Sequence, residues 1–186
     1  MKILCYGDSN TFGYDGTDPF GARLPENARW PELLGRALGC EVLNLGLNGR
    51  QVPHYPRTVE ADLRLLRRGR EGDLILVMLG TNDLLCGTAP EETAAHMRSF
   101  LKKLIAAQPG CAVLLCAPPP AEMEGEDLSP AFAALAAAYE ALAAELGIAF
   151  MDTSAWRIPV VGDGIHFSAR GHSLFALKMS QSLRAL

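Results

Sequence analysis

The sequence predicts an α/β protein built on a doubly wound parallel sheet, and three observations carry that expectation. Five short segments rich in β-branched and aliphatic residues recur along the chain, at 3–6, 41–45, 73–79, 112–116 and 148–151. Helical patterns fill most of the intervals between them, and strand alternating with helix implies crossover connections on a parallel sheet. The run Leu74-Ile75-Leu76-Val77-Met78-Leu79 is apolar on both faces, as a central strand covered by helices on either side requires.

Taken in order, the first strand leads at once into Gly7-Asp8-Ser9-Asn10. A helix is expected over 30–38: Pro31 suits a first turn, Leu33, Leu34, Ala37 and Leu38 share a stripe, and Gly39 stops it. The run 64–70 contains four arginines, but Leu63, Leu65 and Leu66 interleave with them at helical spacing, so it reads as a solvated helix face rather than a binding patch. The next helix, 90–108, has Thr88 as a candidate cap, Glu91 and Glu92 in its first turn, and Lys102 and Lys103 nearer its end, as the helix dipole favours. The helix 129–146 opens at Ser129-Pro130, closes at Gly147, and is rich enough in alanine to lie close on the sheet. A last helix spans 168–186. Three segments are longer than connection alone needs, at 9–28, 46–56 and 118–128. All three follow strands, where ligands bind in doubly wound folds.

With 186 residues and no internal repeat, linker or composition break, the chain reads as a single domain over 1–186. A hydrophobic fraction of 49% excludes disorder as its main state. The 17 Lys and Arg against 21 Asp and Glu give a net charge of −4, so no basic field would gather nucleic acid or anionic lipid. The five cysteines are odd in number and lack a Cys-x-x-Cys pair, so they read as reduced thiols. The N-terminal apolar stretch is too short for a signal peptide and no later segment approaches a membrane span, which makes a cytoplasmic protein the expectation.

The chemistry rests on two separated elements. A serine after a strand is ordinarily a turn or cap residue, and its hydroxyl is a weak nucleophile until a base takes the proton. Ser9 gains meaning from Asp163-Gly164-Ile165-His166, which stands between the fifth strand and the last helix. A carboxylate and an imidazole three positions apart on a turn can face each other, leaving Nε2 free to reach Ser9 while Asp163 fixes the tautomer through Nδ1. Donors for an oxyanion are available after intervening strands, as the backbone N–H of Gly49 and the side-chain amide of Asn82.

Gly7-Asp8-Ser9, the glycine block at Gly49, Gly80-x-Asn82-Asp83 and Asp163-x-x-His166 resemble, in order and spacing, the four blocks of the SGNH (GDSL-type) hydrolases. That resemblance implies a three-layer α/β/α, flavodoxin-like, five-stranded parallel sheet. It also implies Ser9 as nucleophile, Asp163 and His166 as the other triad members, and Ser9, Gly49 and Asn82 as the oxyanion hole. The strings 7–13, Arg29-Trp30, 46–50 and Pro118-Pro119-Pro120 look like the arylesterase and acyltransferase branch, whereas Gln51-Val52-Pro53-His54-Tyr55 departs from that branch's threonine-rich and longer continuation.

The expected function is therefore a serine esterase acting on short-chain acyl esters through an acyl-enzyme, with acyl transfer or carbohydrate or thioester deacylation as the alternative on the same residues. Asp8, Asn10, Phe12, Trp30, Arg50, His54, Tyr55 and Pro119 are the candidates for contact with substrate. Pro118-Pro119-Pro120 would stiffen one wall, and Phe12, Trp30 and Tyr55 would crowd the others. Asp8 and Asp83 are better suited to accept loop N–H groups than to act as acids or bases. His172 lacks an acid at triad spacing and reads as structural or surface, and His96 as a helix-face residue.

Rival readings lack support. A nucleotide-binding protein would need Gly-x-Gly-x-x-Gly or a phosphate-binding loop, neither of which occurs, and an inactive binding module would need a lost triad member. No His-x-x-x-His or paired carboxylates at ligand spacing point to a metal, and no cofactor is expected. The expected partner is a small-molecule ester, without nucleic acid or membrane, with a homo-oligomer open.

Overall fold

The computed structural model describes residues 1–18, 20–122 and 127–185. Five parallel strands form one sheet in the order β2-β1-β3-β4-β5, with β1 Lys2–Gly7, β2 Glu41–Asn44, β3 Leu74–Met78, β4 Ala112–Ala117 and β5 Ala149–Asp152. This is the flavodoxin-like strand order, in which the winding direction reverses between β1 and β3 and opens a crevice at their C-terminal ends. Register is fixed by alternation. Leu4 and Tyr6 of β1 join one apolar layer with Ile75 and Val77 of β3, while Ile3 and Cys5 join the other with Leu76 and Met78.

The first layer is closed by α3 (Pro56–Leu66), α5 (Pro90–Ala107) and α6 (Ser129–Leu146), and the second by α2 (Trp30–Leu38) and α7 (Ala169–Ala185). The expected five-stranded, three-layer arrangement is therefore present. Gly39 and Gly147 end α2 and α6 with φ of 65° and 64°, a left-handed conformation that glycine adopts without a Cβ penalty. The cap before α5 is Ala89, with no side-chain bond; Thr88 stands one residue outside the cap position and donates its backbone N–H to the carbonyl of Asp83.

The segment 9–28, expected as a loop, opens with a turn of helix, α1 (Ser9–Phe12), and a second short helix, α4 (Thr81–Leu85), follows β3. The helix read around 64–70 is α3, which begins at Pro56 and stops at Leu66. Only Arg64 of the four arginines therefore lies on it, paired with Glu60 at 2.8 Å. Of the loop expected over 118–128, residues 123–126 lie outside the described residues. Among the described residues no helix is long and apolar enough to cross a membrane.

His172, on α7, is fully buried against the start of α2, where its Nδ1 accepts the N–H of Trp30 at 3.3 Å. Burial, followed by the charges of Arg29 and His166, pushes its pKa down to about 4. The unfolded imidazole protonates near ~6.5, so between there and pH 4 the unfolded chain binds a proton that the folded chain refuses, and stability falls as pH is lowered. This histidine should account for about 3 kcal/mol of loss across that window. Asp8 acts in the opposite sense, because its burial raises its pKa to about 6 and folded-state stability is gained as pH falls through that value. The informative measurement is thus the difference between wild type and His172→Gln in urea midpoint against pH. The two curves should converge on acidification, and parallel curves would remove His172 from the account.

Candidate active site

The four sequence blocks meet at the C-terminal edge of the sheet. β1 ends at Gly7, and Asp8 caps the single turn of α1 by accepting the N–H of Asn10 at 2.9 Å. Ser9 is the first residue of that turn, where a backbone N–H has no partner within the helix. Two close approaches explain glycines nearby. A Cβ on Gly7 would lie 2.1 Å from Thr11 Oγ1, and one on Gly46 only 2.0 Å from the backbone nitrogen of Phe12. The second loop can therefore press against α1 only because residue 46 has no side chain.

Ser9 Oγ lies 3.0 Å from His166 Nε2, and His166 Nδ1 lies 2.6 Å from Asp163 Oδ2. The other oxygen of Asp163 accepts the backbone N–H groups of Ile165 at 2.8 Å and His166 at 2.9 Å. Partial burial alone would raise the pKa of this carboxyl, but the hydrogen bonds from His166 and Ile165 and the His166 charge outweigh it and hold the group below its usual range. An ionised carboxylate there leaves the Nδ1 proton in place and presents the Nε2 lone pair to the serine hydroxyl. This arrangement can carry a proton from hydroxyl to imidazole.

The loop that bears Asp163 and His166 is held on several sides. Gly164 has φ of 72°, and a Cβ there would sit 2.2 Å from the carbonyl oxygen of Glu122, whose own N–H donates to the Gly164 carbonyl at 2.8 Å. Val161 N–H donates to the His166 carbonyl at 2.8 Å. The ring of Tyr14 packs on the His166 imidazole with centroids 4.5 Å apart. Neither Tyr14 nor Glu122 was singled out by sequence patterning, because each lies in an aperiodic segment.

The oxyanion candidates are joined by one network. Arg50 donates from a buried guanidinium to the carbonyls of Gly7, at 2.8 Å, and Leu45, pairs with Asp62 at 3.5 Å and stacks over Tyr6 at 4.3 Å. Its backbone carbonyl accepts one N–H of the Asn82 amide at 3.0 Å, which leaves the second N–H of that amide available. Gly49 has φ of 69° with open space beside it, so backbone conformation rather than crowding calls for glycine. Asp83 accepts the N–H of Val52 through both oxygens, at 3.2 and 3.1 Å, and ties the second loop to α4.

The expected substrate contacts fare unevenly. Trp30 is fully buried and packs on Phe175, with centroids 4.9 Å apart, so it belongs to the core and not to a pocket wall. Arg50 is committed to the network just described, and Asp8 is a buried helix cap. Asn10 turns its amide to the segment that bears His166. Phe12 lies under the Arg23 guanidinium at 4.3 Å. His54 and the 65% exposed Tyr55 line a depression of about 330 Å³ beside Leu47 and Gln51, with the His54 ring stacked on His96 at 4.2 Å. Pro119 lines another of about 410 Å³, with Pro120, Ser129, Arg157 and Gly164. Among the described residues no three His, Cys, Asp or Glu side chains gather as metal ligands.

The fold is a flavodoxin-like α/β sheet with a serine, a histidine and a carboxylate joined by hydrogen bonds at its C-terminal edge, and comparison with known proteins says to which family such a chain belongs. The profile of the GDSL-like lipase/acylhydrolase family matches residues 5–174. The chain belongs to that family and is an ester-hydrolysing enzyme. An aryl esterase from M. smegmatis is 28% identical and superposes with a TM-score of 0.81, covering 100% of this chain and 99% of its own. A carbohydrate acetylesterase from Sinorhizobium meliloti is 26% identical with a TM-score of 0.81, covering 99% and 98%. No curated protein sequence matches the chain.

Proposed function

We propose that this enzyme is a serine esterase that hydrolyses short-chain acyl esters through an acyl-enzyme, with Ser9 as nucleophile, His166 as proton carrier and Asp163 as the group that orients the imidazole. The observation that carries this reading is the hydrogen-bonded series itself, 3.0 Å from Ser9 Oγ to His166 Nε2 and 2.6 Å from Nδ1 to Asp163. Ser9 Oγ attacks the ester carbonyl carbon as its proton passes to Nε2. The tetrahedral oxyanion is met by the N–H groups of Ser9 and Gly49 and the free N–H of Asn82. Collapse expels the alcohol, which takes the proton from Nε2, and water then repeats the sequence on the acyl-enzyme to release the acid and restore Ser9.

This chemistry needs no cofactor. Residues 1–186 are read as one hydrolase domain, supported by the joining of all five strands in one sheet. The cytoplasm is the location that five cysteines free of disulfides favour. A small-molecule ester is the partner, with no nucleic acid and no membrane.

The acyl group is taken to be short because, among the described residues, the depressions lined by neighbouring loop residues are small, about 330 Å³ beside Arg50 and about 410 Å³ beside Gly164, so a long tail would remain in water and gain no burial energy. On a series of 4-nitrophenyl esters kcat/KM should be greatest at acetyl or butyryl and be abolished by a serine-directed phosphonate. Activity that climbs through octanoyl, or survives the phosphonate, would overturn the reading. Acetylated sugars and acyl thioesters belong in the same panel, since a carbohydrate acetylesterase is among the structural relatives.

A further inference from the structure

Asn10 follows Ser9 in α1, is 6% exposed, and has no part in the chemistry proposed above. Its Nδ2 donates to the carbonyl of Ile165 at 3.1 Å, and its Oδ1 accepts the N–H of Phe167 at 2.8 Å. The orientation of the amide is therefore unambiguous, because a flipped group would set nitrogen against an N–H and oxygen against a carbonyl.

Those two partners belong to the peptide groups on either side of His166. The N–H of His166 itself goes to Asp163 and its carbonyl receives Val161 N–H. With Asn10 in place, each backbone donor and acceptor adjoining the imidazole-bearing residue is satisfied. The bonds from Glu122 and Val161 hold this loop to its own side of the molecule. The Asn10 amide instead runs from the loop to the helical turn that carries the nucleophile.

We infer that Asn10 is a positioning residue for His166: by clamping the flanking peptide groups to α1, it sets the 3.0 Å contact between Ser9 and the imidazole locally. The inference rests on the esterase reading above. The chemistry of the position is demanding, since one side chain must offer a donor and an acceptor in a single plane. Leucine has nearly the same shape and offers neither, while an ionised aspartate accepts from Phe167 and opposes the Ile165 carbonyl.

The test compares wild type, Asn10→Leu and Ser9→Ala. In the first two, active sites are counted by end-point phosphonate titration so that any unfolded fraction is discounted; Ser9→Ala, which has no hydroxyl to label, is taken at its folded concentration by circular dichroism. Asn10→Leu should lose on the order of 10²-fold in kcat, the cost of a displacement of about 1 Å in a reacting group, with KM little changed. The loss should be equal for every leaving group and acyl length, and the labelling rate of Ser9 by a small phosphonate should fall by the same factor. Hydrogen exchange at the Phe167 amide should accelerate. Should Asn10→Leu not fold, Asn10→Asp carries the same test, with kcat and labelling rate again falling together at constant KM. Wild-type kcat in the folded variant, or a loss confined to KM that varies with the leaving group, would overturn the inference and make Asn10 inert or a substrate contact. An active Ser9→Ala enzyme would instead remove the esterase reading beneath it.

Discussion

Replacing Ser9 by Ala should lower kcat on a chromogenic acetate by on the order of 10⁶-fold while the thermal midpoint barely moves, and His166→Ala should do nearly the same. The reason is that Ser9 Oγ and His166 Nε2, 3.0 Å apart, act as one unit: a hydroxyl without its base is as inert as a base without its hydroxyl. The double variant Ser9→Ala, His166→Ala should therefore be no worse than either single one, because the two losses are the same loss counted twice. On the proposed scheme, residual turnover would come from binding and from the donors at Gly49 and Asn82, which both variants keep. The measurement is kcat for all three variants beside circular dichroism. A Ser9→Ala enzyme with substantial turnover, or losses that multiply in the double variant, would refute the scheme.

The parts of this fold that were legible from sequence are those where local chemistry and tertiary packing agree. The run Leu74 to Leu79 is apolar on both faces because β3 has a layer of helices on each side. Helix α2 carries its proline in the first turn and stops at Gly39 because both residues have backbone geometry suited to those positions. The Asp163 and His166 pairing is local, three positions apart on one turn, and so was readable as a contact. By contrast α1 and α4, of 4 and 5 residues, are too short to show a helical period.

Side chains whose placement depends on distant partners were the least legible. Trp30 and Tyr14 are both aromatic residues at the edge of long loops, yet one is buried against Phe175 and the other packs on His166. Nothing near either in sequence distinguishes the two outcomes. Asn10 and Arg50 sit in recognisable motifs, where polar residues invite assignment to a substrate. Their hydrogen bonds go instead to backbone groups: Ile165, Phe167 and Gly7, on segments that only the folded sheet brings near, and Leu45 in the same loop as Arg50. In a site assembled from the ends of several strands, buried polar side chains must satisfy loop backbones before any of them is free for a ligand.

Asp163→Asn should be nearly as damaging, on the order of 10⁴-fold in kcat, although it changes a single atom. One oxygen of Asp163 accepts two backbone N–H groups, from Ile165 and His166, and the other faces His166 Nδ1 at 2.6 Å. An asparagine keeps its oxygen on the two N–H groups and so turns its NH₂ toward the ring. A donor facing Nδ1 selects the tautomer with the proton on Nε2, and that nitrogen can no longer accept the proton of Ser9. The fold should survive, with an acid dependence of its own. Because hydrogen bonds hold the Asp163 carboxyl below its usual range, its stabilising contribution is present above the unfolded carboxylate pKa and lost as pH falls through the folded one. The Asp163→Asn variant should thus melt below wild type at neutral pH and converge with it in strong acid, while its kcat deficit is already complete at neutral pH. Matched melting curves and kcat profiles measure both effects. A kcat within tenfold of wild type would mean that Asp163 builds the loop without governing the imidazole.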